Sequence, residues 1–323
     1  MKINNIKLSF LFLGLGFITQ CKNTNNTNKG NELDTNGVSL IVLGTMQDGG
    51  APHIGCRKIC CNLLFKLPNP NLKVVSLGLI DYEYKQTWLI EATPDITTQL
   101  RKLKSLANFK STELPNGIFL THAHIGHYSG LMYLGKEALN SNGETVYAMP
   151  KMKNFIETNG PWQQLINQNN ISIKTLQNET PQKLSPNLTL IPFLVPHRDE
   201  YSETVGYKII GPSKSALFIP DINKWSIWNK DIIKEIASVD YAFIDATFYD
   251  SLEISSRPMS EIPHPFVAES INLFKNLTVK EKNKIYFIHF NHTNPLLNPK
   301  SKASQLVSKG GFHIAKFGDR FKL

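Results

Sequence analysis

Short apolar runs of strand length, separated by stretches rich in Gly, Pro, Asn and Ser, recur along most of the chain. Val38 to Leu43, Lys73 to Ile80, Thr87 to Glu91, Gly117 to Leu120, Thr145 to Ala148, Ile171 to Thr175 and Leu188 to Val195 read as strands. So do Val205 to Ile210, Ser215 to Ile219, Tyr241 to Ile244 and Ile285 to Ile288. The second and third of these runs form one predicted hairpin, and Val205 to Ile210 with Ser215 to Ile219 another. Helices fall between them. Thr93-Pro94-Asp95 opens one that runs to about Leu106, with proline near its first turn, Leu131 to Leu139 reads as helix-like, and Lys151 to Thr158 follows a strand. The strand and helix pattern occupies both halves without an internal repeat. An α/β sandwich, two sheets face to face with helices outside, accounts for it.

The first residues depart from this pattern. Lys2 and Lys7 precede an 11-residue run, Leu8 to Ile18, which is too short to span a bilayer and has the form of a signal-peptide core. It ends at Ile18-Thr19-Gln20-Cys21, which resembles a bacterial lipobox and implies a lipid on Cys21; an uncleaved anchor or a plain secretory signal are the alternatives. Lys22 to Gly37 is mostly Asn, Thr, Lys and Gly, too polar to pack, and is expected to tether a domain spanning 38–323 to the periplasmic side of a membrane.

Composition changes little: 41% hydrophobic and 19% charged residues in 323 is ordinary for a folded chain. Of the formal charge of +9, Lys2 and Lys7 contribute two and no acid precedes Cys21, leaving +7 without the leader. That mild excess suits an anionic small molecule or a membrane surface. No dense Lys/Arg block with interleaved aromatics points to nucleic acid.

Candidate chemistry gathers at strand ends. Thr121-His122-Ala123-His124-Ile125-Gly126-His127 places three of nine histidines within six residues, directly after an apolar run. A strand's period of two sets His122 and His124 on one side, and a turn can bring His127 to them. Imidazoles so placed suit Zn²⁺, Fe²⁺ or Mn²⁺. Further strands end at Glu91, His197, Asp221, Asp245 and His289. After the Gly-rich run Gly44 to His53, Cys56, Cys60 and Cys61 lie within six residues. With His53 they could bind a structural Zn²⁺, a Cys56 disulfide being the competing reading.

The histidine stretch resembles the HxHxDH signature of the metallo-β-lactamase superfamily, with Gly126 where the family has Asp, and the order Glu91, His122/His124/His127, His197, Asp221, His289 is similar to its motifs. The resemblance implies that fold, a site of His122, His124 and His197, and a second one of His127, His289 and shared Asp221. With no carboxylate from Gly126, that second site is expected to hold its ion weakly, leaving one tightly held metal. Gly44 to Gly50, the Cys cluster, Thr121 to Leu134, Tyr147-Ala148-Met149-Pro150, Asn159-Gly160-Pro161-Trp162 and His289 to Pro295 look like the pyrroloquinoline quinone biosynthesis protein B branch. Ile244-Asp245-Ala246-Thr247-Phe248 with His264-Pro265-Phe266 resembles a tRNase Z pair, implying that Asp245 holds His264 as a proton donor. The expected activity is hydrolysis of an ester, amide or phosphodiester by metal-activated water, with Asp221, Asp245 and His264 as catalytic residues. An Fe²⁺-dependent oxidoreductase, or a lipid-tethered binding protein without turnover, are the alternatives.

Overall fold

The computed structural model describes residues 36–110, 112–253 and 261–323. The predicted leader, Cys21 and nearly all of the tether lie outside the described residues.

The first half is β1 (Val38–Gly44), α1 (Ile59–Lys66), β2 (Ser76–Asp81), β3 (Gln86–Ile90), α2 (Ile96–Ala107), β4 (Ile118–Phe119), α3 (Ile125–Tyr128), β5 (Glu144–Ala148), α4 (Pro150–Thr158), α5 (Trp162–Asn167) and β6 (Ile171–Thr175). The second is β7 (Gln182–Ser185), β8 (Leu188–Leu194), β9 (Val205–Ile210), β10 (Ser215–Ile219), α6 (Ile232–Ala237), β11 (Tyr241–Asp245), α7 (Val267–Leu273), α8 (Val279–Lys282), β12 (Ile285–Ile288), α9 (Lys302–Lys309), β13 (His313–Ile314) and β14 (Arg320–Lys322). They form two seven-stranded mixed sheets, ordered β14-β1-β2-β3-β4-β5-β6 and β13-β12-β11-β10-β9-β8-β7. Thr35–Leu323 is one compact unit.

The layering follows from alternation along each strand. In β1, Val38, Leu40 and Val42 point between the sheets, where they join Leu77, Trp88, Tyr207 and Phe218 in the central core. Ile41 and Leu43 point the other way, into a core shared with Ile96 and Leu103 of α2. Phe287 and Ile244 of the second sheet do the same toward Val267 and Val307 of the opposite helices. A strand buried on both faces reads as a continuous apolar run, as these do. Gln99, a buried polar residue of α2, donates from Nε2 to the carbonyls of Leu43 (3.2 Å) and Val74 (2.7 Å). That bond fixes the end of β1 from which the Gly-rich run departs.

The expected helix over Leu131 to Leu139 is not formed. After α3 the chain takes a 3₁₀ turn over Ser129–Leu134 and leaves it at Gly135 in extended geometry. Gly130 lies against the backbone of Ala92 and Thr93, and a Cβ there would stand 2.1 Å from the Thr93 carbonyl oxygen. Packing on the β3 end thus overrides the helical pattern.

Candidate metal centre

Asp48 follows β1, Glu91 β3, His122 to His127 β4, His197 β8, Asp221 β10, and His289 β12, while Asp245 closes β11. All therefore gather where strands of the two sheets end, the usual place for chemistry on such a scaffold. Two of them, Glu91 (φ 79°) and His289 (φ 69°), hold left-handed backbone conformations that non-glycine residues adopt only when their surroundings enforce it.

The first group is His122, His124, His197 and Asp221, whose ligand atoms all lie within 4.8 Å of one another. His122 Nε2 is 2.8 Å from His124 Nδ1, which is 3.3 Å from His197 Nε2. Asp221 Oδ2 stands 3.4 Å from His122 Nε2 and Oδ1 3.2 Å from His197 Nε2. The far ring nitrogens are engaged: His122 Nδ1 by the Thr121 hydroxyl at 2.8 Å and His197 Nδ1 by Asn223 Oδ1 at 3.1 Å. A donor nitrogen fixed on the outside leaves the inner lone pair to a cation, the usual support of a ligating histidine. Burial, with the neighbouring His127 charge, holds His122 well below the ordinary imidazole range and so in its ligating neutral form.

The second group is Asp48, His127 and His289. Asp48 Oδ1 is 2.9 Å from His127 Nε2 and 3.8 Å from His289 Nε2, and His127 Nε2 is 3.9 Å from Asp221 Oδ2, so Asp221 faces both groups. Outside the ring, His289 Nδ1 meets the Thr247 hydroxyl at 2.7 Å and His127 Nδ1 faces Glu91 Oε1 at 3.3 Å. Burial opposes ionisation of Asp48, but the adjacent His127 and His289 keep its carboxyl well below the usual range.

Asp48 corrects the expectation of a second site poor in carboxylate. A Cβ on Gly126 would lie 2.4 Å from Asp48 Oδ1 and 2.5 Å from Asp48 Cα, so a residue from another loop fills the space left by the missing side chain. The only signal in the sequence was the absence of an acid at position 126, which calls for a carboxylate elsewhere.

The donor set fits a cation. Asp48 Oδ1, His127 Nε2 and His289 Nε2 converge, are buried, and have no hydrogen-bond partner. Buried polar atoms are rarely left so. No thiolate takes part, so the chemistry of the donors suits Zn²⁺, Fe²⁺ or Mn²⁺.

Beside it lies a third arrangement. His264 Nδ1 is 2.9 Å from Asp245 Oδ2 and 3.1 Å from Asp221 Oδ1. Asp245 is itself fixed, accepting from the Thr247 hydroxyl (2.7 Å) and from the backbone N–H groups of Thr247 (2.8 Å) and Ile222 (3.1 Å). Burial disfavours a charged His264, yet Asp245 and then Asp221 outweigh it and hold the ring up at about 10. Its side chain is 14% exposed, so a bound molecule can reach it.

Cys56, Cys60 and Cys61 are free thiols that converge with His292. The expected fourth member, His53, is outside this group. Its Nδ1 bonds the Ile54 carbonyl at 2.8 Å and its ring stacks on His292 at 4.4 Å. Sequence distance favoured His53, but β12 returns the chain to the same place and delivers His292. The group thereby ties the loop after β1, which carries Asp48, to the loop after His289.

The family described as "Beta-lactamase superfamily domain" matches residues 86–290. "Coenzyme PQQ synthesis protein B" of Gluconobacter oxydans (strain 621H) is 23% identical over 309 residues, 88% of this chain and 99% of that protein. Among solved structures, Zn(2+)-bound PqqB from Methylobacterium extorquens superposes with a TM-score of 0.73 at 21% identity, covering 88% of this chain and 100% of the other. A diphosphatase from the PhnP family gives 0.58 at 21% identity, covering 88% and 96%. The chain belongs to the metallo-β-lactamase superfamily, and across its two-sheet domain it is PqqB-like.

Proposed function

We propose that this protein is a metallohydrolase, exported and held on the periplasmic side of a membrane by lipid on Cys21, that cleaves an ester, amide or phosphodiester bond in a small anionic molecule. The observation that carries the reading is the convergence of His122, His124 and His197 with Asp221, His122 and His197 each supported from outside, directly beside Asp48, His127 and His289. The first set would hold one divalent ion and the second another, Asp221 between them. When bound, such ions supply a water whose pKa falls to about 7 and a positive field for the oxygen on which charge develops.

The rest is done by the chain. Asp221 turns Oδ2 toward His122 and His127 and Oδ1 toward His197 and His264, and so keeps the imidazoles oriented. His264 has Nδ1 occupied by Asp245 and Asp221, which leaves Nε2 to give a proton to the departing group. Its positive charge also favours an anionic substrate. Asp245 holds the ring and is itself held by its donors from Thr247 and Ile222.

A panel of carboxylic esters, amides and phosphodiesters, assayed with and without chelator, tests this. Turnover that chelator removes and metal restores supports it; a panel without turnover by the fully metallated protein contradicts it. The His and carboxylate donors would also accept Fe²⁺, so metal content after anaerobic purification separates hydrolysis from an Fe²⁺-dependent oxidation.

A further inference from the structure

The lobe after the Gly-rich run is unlike the rest of the surface. Ile59, Leu63 and Leu67 stand at i, i+4 and i+8 of α1 and its C-terminal cap, and are 77%, 60% and 80% exposed. Ile54 and Phe65 nearby are also exposed. Cys61 is the buried residue of the helix and faces the other way. So short a helix does not persist in water on its own. The Cys56/Cys60/Cys61/His292 group therefore anchors it, with the apolar stripe turned outward instead of into a core. The charge along this segment has one sign. No acid occurs between Asp48 and Asp81, whereas Arg57, Lys58 and Lys66 are exposed among the apolar residues.

We infer that this lobe docks the protein on an anionic lipid bilayer, with Ile59, Leu63 and Leu67 entering the headgroup boundary and Arg57, Lys58 and Lys66 meeting lipid phosphates. An exposed apolar stripe rimmed by cations is the chemistry of an interfacial helix. Among the described residues no helix is long and apolar enough to cross a membrane, so the contact is peripheral. Reach permits it. Lys22 to Gly37 extends to at most about 50–60 Å, against roughly 20 Å for the length of β1 that separates the tether's end from the metal centre. A chain held by lipid on Cys21 can thus lay the lobe on the same bilayer. Because the lobe shares its loops with Asp48 and His289, docking sets the mouth of the metal centre at the membrane surface. The inference does not depend on hydrolysis being the reaction, and its test does not measure turnover.

Both sheets and all three cores lie within Thr35–Leu323, so a chain starting at Thr35, free of leader and lipid, isolates the lobe's own contribution. Its co-sedimentation is measured with vesicles of phosphatidylcholine alone and with about one third phosphatidylglycerol added. Three basic groups near the surface should favour the anionic vesicles on the order of 100-fold at low salt. The variant Ile59→Ser/Leu63→Ser/Leu67→Ser should lose binding to both. Arg57→Gln/Lys58→Gln/Lys66→Gln should lose the preference for anionic lipid. An unchanged melting temperature and far-ultraviolet circular dichroism show that each variant stays folded. No binding of the unaltered chain to anionic vesicles overturns the inference. So does self-association of that chain, abolished by the serine variant and unaffected by vesicles, which would make the stripe a protein interface.

Discussion

Asp48→Ala is the most informative single change, because it removes a ligand that no histidine motif contains. In the protein as it stands, Asp48 Oδ1 is the anion nearest His127 Nε2, at 2.9 Å, and a Cβ at Gly126 would overlap it. Its loss leaves the second group with two imidazoles and a share of Asp221. Changing residues that only support metal ligands costs roughly 10–100-fold in affinity, so losing the carboxylate itself should cost at least about 100-fold. Gly126→Asp is not a rescue. The new Cβ would meet Asp48 Cα at 2.5 Å, a backbone contact that no rotamer relieves, so the loop must move. Overpacking of this kind costs about 1–3 kcal/mol, and it displaces Asp48 from the site. The assay is stepwise metal titration against a competing chelator with the thiol cluster intact, its own step identified by thiolate-to-metal absorbance and set aside. Unaltered chain should show two tight steps, Asp48→Ala one tight and one weak, and Gly126→Asp the same loss with a lower melting temperature. Two tight steps in Asp48→Ala, or a tighter second step in Gly126→Asp, would refute the reasoning.

Four further outcomes are expected. His122→Ala and His197→Ala should each empty the three-histidine group, as elemental analysis of purified protein will report; full metal content in both contradicts that assignment. Asp245→Asn and His264→Ala should each lower turnover by about 10²–10⁴, and the double variant should be little worse than either, since the residues act as one unit; multiplying losses argue against the pair. Cys61→Ser should lower the melting temperature and also weaken the Asp48/His127/His289 site, because the thiol group ties their loops together; wild-type affinity at that site in the variant would separate the two. Glu144 has a buried Oε1 without a partner, and burial pushes its carboxyl from 4.5 up to about 7. A folded-state value above the unfolded one means that stability falls as pH rises from about 4.5 through 7, by at most about 3 kcal/mol. Denaturant titration of Glu144→Gln should therefore show a gain at pH 8 and none near pH 4; an equal effect at both would exclude this cause.

Strands with strong apolar runs were legible in the sequence to the residue. Ile171–Thr175, Val205–Ile210, Ser215–Ile219 and Ile285–Ile288 stand where their patterns end. β7, Gln-Lys-Leu-Ser, and the two-residue β13 were not, because they exist through pairing with β8 and β12, not through any pattern of their own. The metal centre divides in the same way. His122, His124, His197 and Asp221 sit at the ends of readable strands. Asp48 hides among glycines and acquires its place only when the loop after β1 crosses to His127, far along the chain. Asn223 and Thr247, which fix the rings of His197 and His289, carry no periodic signal at all. His292 lost to His53 on sequence proximity and won on topology.

The central claim, hydrolysis at this His/Asp centre, is tested most directly by tracing oxygen. The best substrate from the ester, amide and phosphodiester panel is turned over anaerobically in heavy-oxygen water by protein whose metal has been removed and restored. Product formed without dioxygen, carrying one solvent oxygen and absent from the metal-free protein, is the predicted result. Product that forms only when dioxygen is admitted, or that carries its label from dioxygen, would contradict it.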